Sequence, residues 1–125
     1  MKIRESAEMY LETILVLSKK GEVRSIDIAR AMNFSRPSVS VTVHNLEKEH
    51  YIKISENGII TLEPAGLEIA ERIYERHTVL TDILVSIGVS EETASEDACK
   101  IEHVISIETF DCIKKAIKKI GKISK

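Results

Sequence analysis

Cysteine, proline and glycine are scarce in this chain of 125 residues, which holds two, two and five of them, and each shortage removes a class of protein. The cysteines, Cys99 and Cys112, lie thirteen apart in one helical-looking stretch, which suits reduced thiols better than a disulfide framework. With so little proline and glycine there is no linker, and no internal repeat or low-complexity segment stands out, so two halves are expected to abut directly. Long apolar runs are missing as well: none reaches the roughly 18 to 20 residues of a membrane span. The opening Met1-Lys2-Ile3-Arg4-Glu5 runs into mixed charge rather than a signal-peptide core. A cytoplasmic protein with no membrane partner is the expectation. Nor is there a surplus of positive charge, since 18 Lys and Arg stand against 20 Asp and Glu for a net charge of -2. No global field attracts nucleic acid, and any DNA contact must come from a local patch. Residues 1–63 balance at nine and nine, while residues 64–125 hold nine basic against eleven acidic residues.

What is present, 43% hydrophobic and 30% charged residues, suits one ordinary domain or two very small ones sharing a core. Leu11, Ile14, Leu15 and Ser18 form one stripe of an amphipathic helix from Glu5 to Ser18, ended by Lys19-Lys20-Gly21. Ser25 starts a short helix carrying Ile28, Ala29 and Met32. After the break Asn33-Phe34-Ser35, Ser35 is a good N-cap with Pro37 in the first turn, and Val39, Val43 and Leu46 carry a third helix to about Glu49. Two alternating strands, Tyr51–Ser55 and Ile59–Leu62, flank Glu56-Asn57-Gly58, where Asn-Gly is expected to supply the positive backbone angles of a tight hairpin. A long helix from Pro64 to about Ile87 follows, with Leu67, Ala70, Ile73, Tyr74, His77, Leu80, Leu84 and Ile87 as its inward stripe and Gly88 as its end. Ser90 caps a helix running to about Val104, and a last helix covers roughly Ser106 to Ile120.

Helix, short helix, Ser-capped helix and hairpin describe a winged helix-turn-helix. The expected fold is therefore mainly α: residues 1–63 a winged helix-turn-helix DNA-binding domain, residues 64–125 an all-helical domain. Fold alone does not decide function, because winged helices also serve as protein-contact modules. If Val39, Val43 and Leu46 pack inward, a 100° step per residue places Pro37, Val41, His44 and Lys48 opposite, with Ser38, Ser40 and Asn45 on the flanks. Val41 on a solvent face suits contact with a thymine methyl, although single exposed valines also occur without function. Ser35, Ser38, Ser40 and Thr42 offer hydroxyls to phosphates or base edges, and the helix N-terminus attracts a phosphate. Arg36 is the one cation of the first turn, whether it meets phosphate or only solvent. Lys53 and Asn57 on the wing are candidates for an adjacent phosphate.

In the acidic half, Cys99, Glu102 and His103 fall at i, i+3 and i+4, so a helix presents a thiol, a carboxylate and an imidazole within about 100° of arc. The plain alternative is a buried cysteine beside a surface Glu-His pair. His77 on the inward stripe reads equally as a hydrogen-bonded core histidine, and Met9 and Glu12, three apart on the first helix, read alone as core filler and a solvated carboxylate.

Ser6-Ala7-Glu8-Met9-Tyr10-Leu11-Glu12-Thr13-Ile14, then Glu75-Arg76-His77, then Asp97-Ala98-Cys99-Lys100-Ile101-Glu102-His103-Val104-Ile105-Ser106, closely resemble the diphtheria-toxin-repressor family of metal-dependent transcriptional regulators, over nearly the whole chain. The resemblance implies a homodimer whose second domain serves dimerisation and metal binding, and which binds double-stranded operator DNA, as a repressor, when a divalent metal is bound. It implies Met9, Cys99, Glu102 and His103 as the primary site of iron-type members. Manganese-type members carry carboxylates at the Met9 and Cys99 positions and add the residues matching Glu12 and His77, so the set here is mixed. An iron-type second site expects an acidic residue where Thr81 stands and a histidine where Ser95 stands. The SH3-like domain of many iron-type members has no counterpart in this sequence, which looks like the two-domain short form.

A thioether and a thiolate are soft donors, which favours Fe²⁺ over the alternative Mn²⁺. Thiolate ligation requires loss of a proton, so the site should weaken as pH falls. Ligands drawn from both ends of the chain imply a metal clamp that holds two recognition helices about one DNA turn, ~34 Å, or a multiple apart. Two other classes compete. One is a winged-helix regulator that uses no metal; the other is a zinc hydrolase, because Cys99-x-x-Glu102-His103 is one residue from the His-x-x-Glu-His pattern of inverted zincins. A thiolate would weaken the zinc as a Lewis acid and no oxyanion group is evident, so the chain is not expected to be an enzyme.

Overall fold

The computed structural model describes residues 5–124, with side chains through residue 119. Six helices and one hairpin follow in the order α1 (Glu5–Ser18), α2 (Ser25–Met32), α3 (Arg36–Lys48), β1 (Ile52–Ile54), β2 (Ile60–Leu62), α4 (Pro64–Ser86), α5 (Glu91–Ile101) and α6 (Ile107–Ser124). The chain divides into two compact units, residues 1–72 and residues 73–125, so the division falls inside α4.

In the first unit, one stripe of each helix makes a single core. Tyr10, Leu11, Ile14 and Leu15 of α1 meet Ile28 and Ala29 of α2, Val39, Val43 and Leu46 of α3, and Ile52 and Ile60 of the hairpin. Ala70 of α4 joins the same cluster and Ile69 packs against it, which is why the first turns of α4 belong to this unit. Asn33, in the left-handed region with φ of 57°, ends α2. Ser35 starts α3: its Oγ accepts from Ser38 N–H at 3.4 Å, and Pro37 falls in the first turn, where its missing N–H costs nothing.

The wing differs from the tight hairpin expected at Asn57-Gly58. Ile54 pairs with Ile60, leaving a five-residue loop from Ser55 to Ile59. Only Gly58 takes a positive φ, 80°, and Asn57 does not. The loop is closed instead by Ser55, whose N–H donates to the Ile59 carbonyl and whose Oγ accepts from Ile59 N–H at 3.0 Å. Val23 adds a one-residue bridge to the outer side of β2, where Ile60 N–H donates to its carbonyl at 2.7 Å.

The apolar stripe of α4 is narrower than its periodicity suggests. Ala70, Ile73 and Leu80 are buried, whereas Leu67 and Tyr74 stand at the margin and Ile87, beyond the helix end, is 70% exposed. Gly66 faces the first unit instead, because the Tyr51 carbonyl occupies the place where a side chain would begin. That oxygen already accepts from Glu63 N–H at 3.0 Å. Alanine is ordinarily favoured over glycine inside a helix by about 1 kcal/mol, yet here the methyl would overlap backbone that cannot move aside cheaply. Gly66→Ala is expected to destabilise the protein by about 3 kcal/mol, read by denaturant unfolding. A variant as stable as the wild type would disprove the contact.

In the second unit, Ile73, Leu80, Ala94, Ala98 and Phe110 are the buried apolar residues among those described, and one charged residue, Glu102, lies with them. Ser90 caps α5, its Oγ accepting from Thr93 N–H. The helix ends at Ile101 rather than near Val104, and residues 102–104 form a turn in which Glu102 N–H still donates to the Ala98 carbonyl at 2.9 Å.

Candidate metal centre and DNA-reading helix

The last turn of α5 and the turn after it place Cys99, Glu102 and His103 together. One donor atom from each lies within 4.8 Å of the other two. Metal bonds of about 2.0–2.3 Å put opposite donors on one ion at most roughly 4.6 Å apart, so little movement separates this cluster from a ligand set. Glu102 has no exposed surface. Taking a carboxylate out of water costs several kcal/mol unless it is paired, and a leucine or methionine would fill the same space without that cost. Its partners explain its presence. Oε2 lies 3.0 Å from His77 Nδ1, and Oε1 faces the fully buried His103 ring at Nε2 across 3.3 Å without hydrogen-bond geometry. A buried carboxylate oxygen with no hydrogen bond, beside an imidazole nitrogen and a thiol, is the donor chemistry of a divalent cation site. The residues present therefore fit a metal.

His77 comes from α4, and it is more than a core histidine. Its ring stands between Glu102 at Nδ1 and Ser95 Oγ at Nε2, 3.3 Å away. Ser95 and Cys99 lie one turn apart on α5 and, with His77, Glu92, Glu96 and Lys100, line an open cavity of about 640 Å³. The alternative of a surface Glu-His pair fails here, since both the Glu102 and the His103 side chains are buried completely. Met9 and Glu12 belong to the first unit, both half-buried on α1 and one turn apart. Cys99 and Cys112 are both thiols rather than halves of a disulfide, the first half-buried and the second exposed.

Two further residues support the site in ways the sequence does not assign to them. Arg76 donates from Nη1 to the carbonyls of Glu102 and Ile105, at 3.0 and 3.2 Å, and stacks on Phe110 at 5.4 Å. It thereby satisfies carbonyls past the end of α5 and holds the turn that carries the ligand residues. Ser95 is the other; the resemblance marks its position only as the place of a missing histidine, and no spacing marks Arg76 as part of a site.

On α3, the expected solvent face is solvent-facing. Arg36, Pro37, Ser38, His44, Asn45 and Lys48 are placed toward solvent, Val41 is 63% exposed, and Ser40 and Thr42 flank it. The Ser35 hydroxyl is engaged in the cap and with Ser38 Oγ at 2.9 Å, so Ser38 is the more available hydroxyl of the pair. His44 Nδ1–H donates to the Ser40 carbonyl at 2.7 Å, which leaves Nε2 of the neutral ring as an outward acceptor. Lys53 and Asn57 are exposed on the wing. Arg24 joins them: its Nε–H donates to the Asn57 carbonyl at 3.4 Å, and it pairs with Glu22 at 3.7 Å.

Residues 2–58 match the family model described as the iron dependent repressor N-terminal DNA binding domain, and residues 63–122 match the iron dependent repressor metal binding and dimerisation domain. The HTH-type transcriptional regulator MntR of Geobacillus kaustophilus is 38% identical over 109 residues, which cover 86% of this chain and 77% of that protein. The chain belongs to the iron-dependent repressor family. It is a metal-dependent transcriptional repressor of the MntR/IdeR kind, with a winged-helix DNA-binding half and a metal-binding and dimerisation half. An uncharacterized HTH-type regulator of Methanocaldococcus jannaschii is 32% identical and spans 88% of this chain and 90% of its own length. Among solved structures, IdeR of T. acidophilum is 29% identical with a TM-score of 0.73, covering 97% of this chain and 55% of that one. The manganese regulator SloR shares the fold, at 24% identity and a TM-score of 0.79, covering 94% of this chain and 55% of that one.

Proposed function

We propose that this repressor binds operator DNA as a cytoplasmic homodimer when a divalent metal, Fe²⁺ ahead of Mn²⁺, is held by Cys99, Glu102 and His103, and that it governs metal uptake. In this reading His77, Met9 and Glu12 complete the ligand set, residues 1–63 read DNA, and residues 64–125 dimerise and bind metal. The observation that carries it is Glu102, a carboxylate without exposed surface that faces two imidazoles beside a thiol. A bound cation would supply the positive charge that lets these donors share one small buried volume. Arg76 holds the Glu102 main chain in place, and His77 holds one carboxylate oxygen.

The relatives argue for both metals: SloR and another similar structure are named for manganese, whereas both matching family models are described as iron dependent. Donor chemistry favours iron here, because Cys99 and Met9 put soft sulfur where manganese chemistry prefers oxygen. Dimerisation is supported by apolar surface left on the second unit, with Ile87, Val104 and Ile107 each at least 70% exposed.

Selection from a random duplex pool under anaerobic Fe²⁺, under Mn²⁺ and under chelator tests the reading. Enrichment of one operator-like sequence with metal and none with chelator is expected. Equal enrichment under chelator would favour a regulator that uses no metal. On that operator, Arg36→Ala should weaken binding to all sequence variants alike and flatten the salt dependence, whereas Val41→Ala should cost about 1 kcal/mol chiefly at one base position. Equal effects of both substitutions on every variant would sink the assignment of α3.

A further inference from the structure

We infer that Arg24 joins the wing to the DNA backbone, holding the wing loop through Nε and exchanging Glu22 for a phosphate at its outer nitrogens when operator binds. The inference rests on the proposed DNA-reading surface of α3 and the wing, and extends it to a residue outside both. Arg24 immediately precedes α2, the first helix of the helix-turn-helix, and in that motif the first helix crosses the phosphate backbone. The chain at this point is tied to the wing by two consecutive residues. The Val23 carbonyl accepts from Ile60 N–H at 2.7 Å on the outer side of β2. One residue on, Arg24 Nε–H donates to the Asn57 carbonyl at 3.4 Å. A cation is thereby set between the start of α2 and the loop that carries Asn57, itself a candidate for a phosphate contact.

A guanidinium carries five N–H donors in a planar fork that matches the oxygens of a phosphate. The contacts to Asn57 and Glu22 occupy two of them, and the Arg24 side chain is 47% exposed. Its pairing with Glu22 is easily given up. The two groups stand 3.7 Å apart and the Glu22 side chain is 65% exposed, and exposed pairs of this kind contribute little. A DNA phosphate offers the fork two oxygens, and its neutralisation releases a condensed counterion, which favours the exchange. Glu22 therefore opposes DNA binding in two ways, as a competitor for Arg24 and as a negative charge near the backbone. Asp27 has a different part: its Oδ2 accepts from the main-chain N–H of Arg24 at 2.9 Å, a bond that survives replacement of the arginine side chain.

The test is phosphate-ethylation interference on the selected operator, with the full chain and metal. Arg24→Ala should erase the sensitivity at one phosphate in each half-site, leave the other positions sensitive, and lower the salt slope by about one per subunit, with unchanged thermal unfolding. Arg24→Lys should recover the slope but only part of the affinity, because an ammonium cannot hold the Asn57 carbonyl and grip a phosphate in the same fork geometry. Glu22→Gln should tighten operator binding about twofold to fivefold, and by less when Arg24 is already alanine. An unchanged interference pattern in Arg24→Ala, full recovery of affinity by lysine, or an equal gain from Glu22→Gln in both backgrounds would overturn the inference while leaving α3 as the reading helix. A wild type that binds no duplex under any metal condition would overturn both.

Discussion

Glu102→Gln is expected to lower Fe²⁺ affinity by about two orders of magnitude or more and to abolish metal-activated DNA binding, while the metal-free protein stays folded. Glutamine keeps the shape of the side chain and removes its charge. A carboxylate with no exposed surface is costly to bury, so the neutral amide should not destabilise the metal-free unit, and its melting temperature should stay within a few degrees of the wild type. The loss falls on the loaded state, where an anionic oxygen beside the thiolate and two imidazoles is the hard donor of the set. A purely structural Glu102 forecasts the reverse: an altered melting temperature and an unaltered metal response. Cys99→Ala should act in the same direction, and because Cys99 is only half-buried it does so with a small stability cost. His103→Ala is the less informative variant, since a fully buried ring leaves a cavity that destabilises on its own account. Anaerobic competition titration with Fe²⁺, paired with thermal unfolding of each metal-free variant, separates the two effects.

The second large effect is on metal choice. Changing Met9→Asp and Cys99→Glu together should reverse the order of Fe²⁺ over Mn²⁺, moving their affinity ratio about tenfold or more toward manganese. Both soft donors become carboxylates, which suit Mn²⁺, while Glu12, His77, Glu102 and His103 are kept. The changes belong together because one remaining sulfur still biases the set. An affinity ratio equal to that of the wild type would refute the soft-donor argument, and with it the proposed place of Met9 among the ligands.

Much of this architecture is legible in the chain because its signals are local. The boundaries of α1 and α2 and the Ser35 cap follow from stripes and cap residues within one or two turns, and the spacing of Cys99, Glu102 and His103 survives even though α5 ends at Ile101. What depends on distant chain is not legible. The five-residue wing loop is decided by Ser55 closing on Ile59, against the local preference of Asn-Gly. Tyr51 crosses α4 at Gly66, so helix periodicity alone shifts the α4 stripe onto Leu67 and Tyr74. The complete burial of Glu102 likewise comes from α4, which brings His77 and Arg76 to it from 25 and 26 residues away. A carboxylate between Ile101 and His103 gives no local sign of that. The contact of Ser95 with His77 also depends on another helix, so the sequence shows Ser95 only as a departure from the histidine the resemblance expects.

The central claim is that Cys99, Glu102 and His103 hold one divalent ion through a thiolate, and anaerobic titration with Co²⁺ tests it most directly. The account predicts a saturable thiolate-to-cobalt charge-transfer absorption in the wild type that disappears in Cys99→Ala and persists in Cys112→Ala. Absence of that band in the wild type, or its survival in Cys99→Ala, would contradict it.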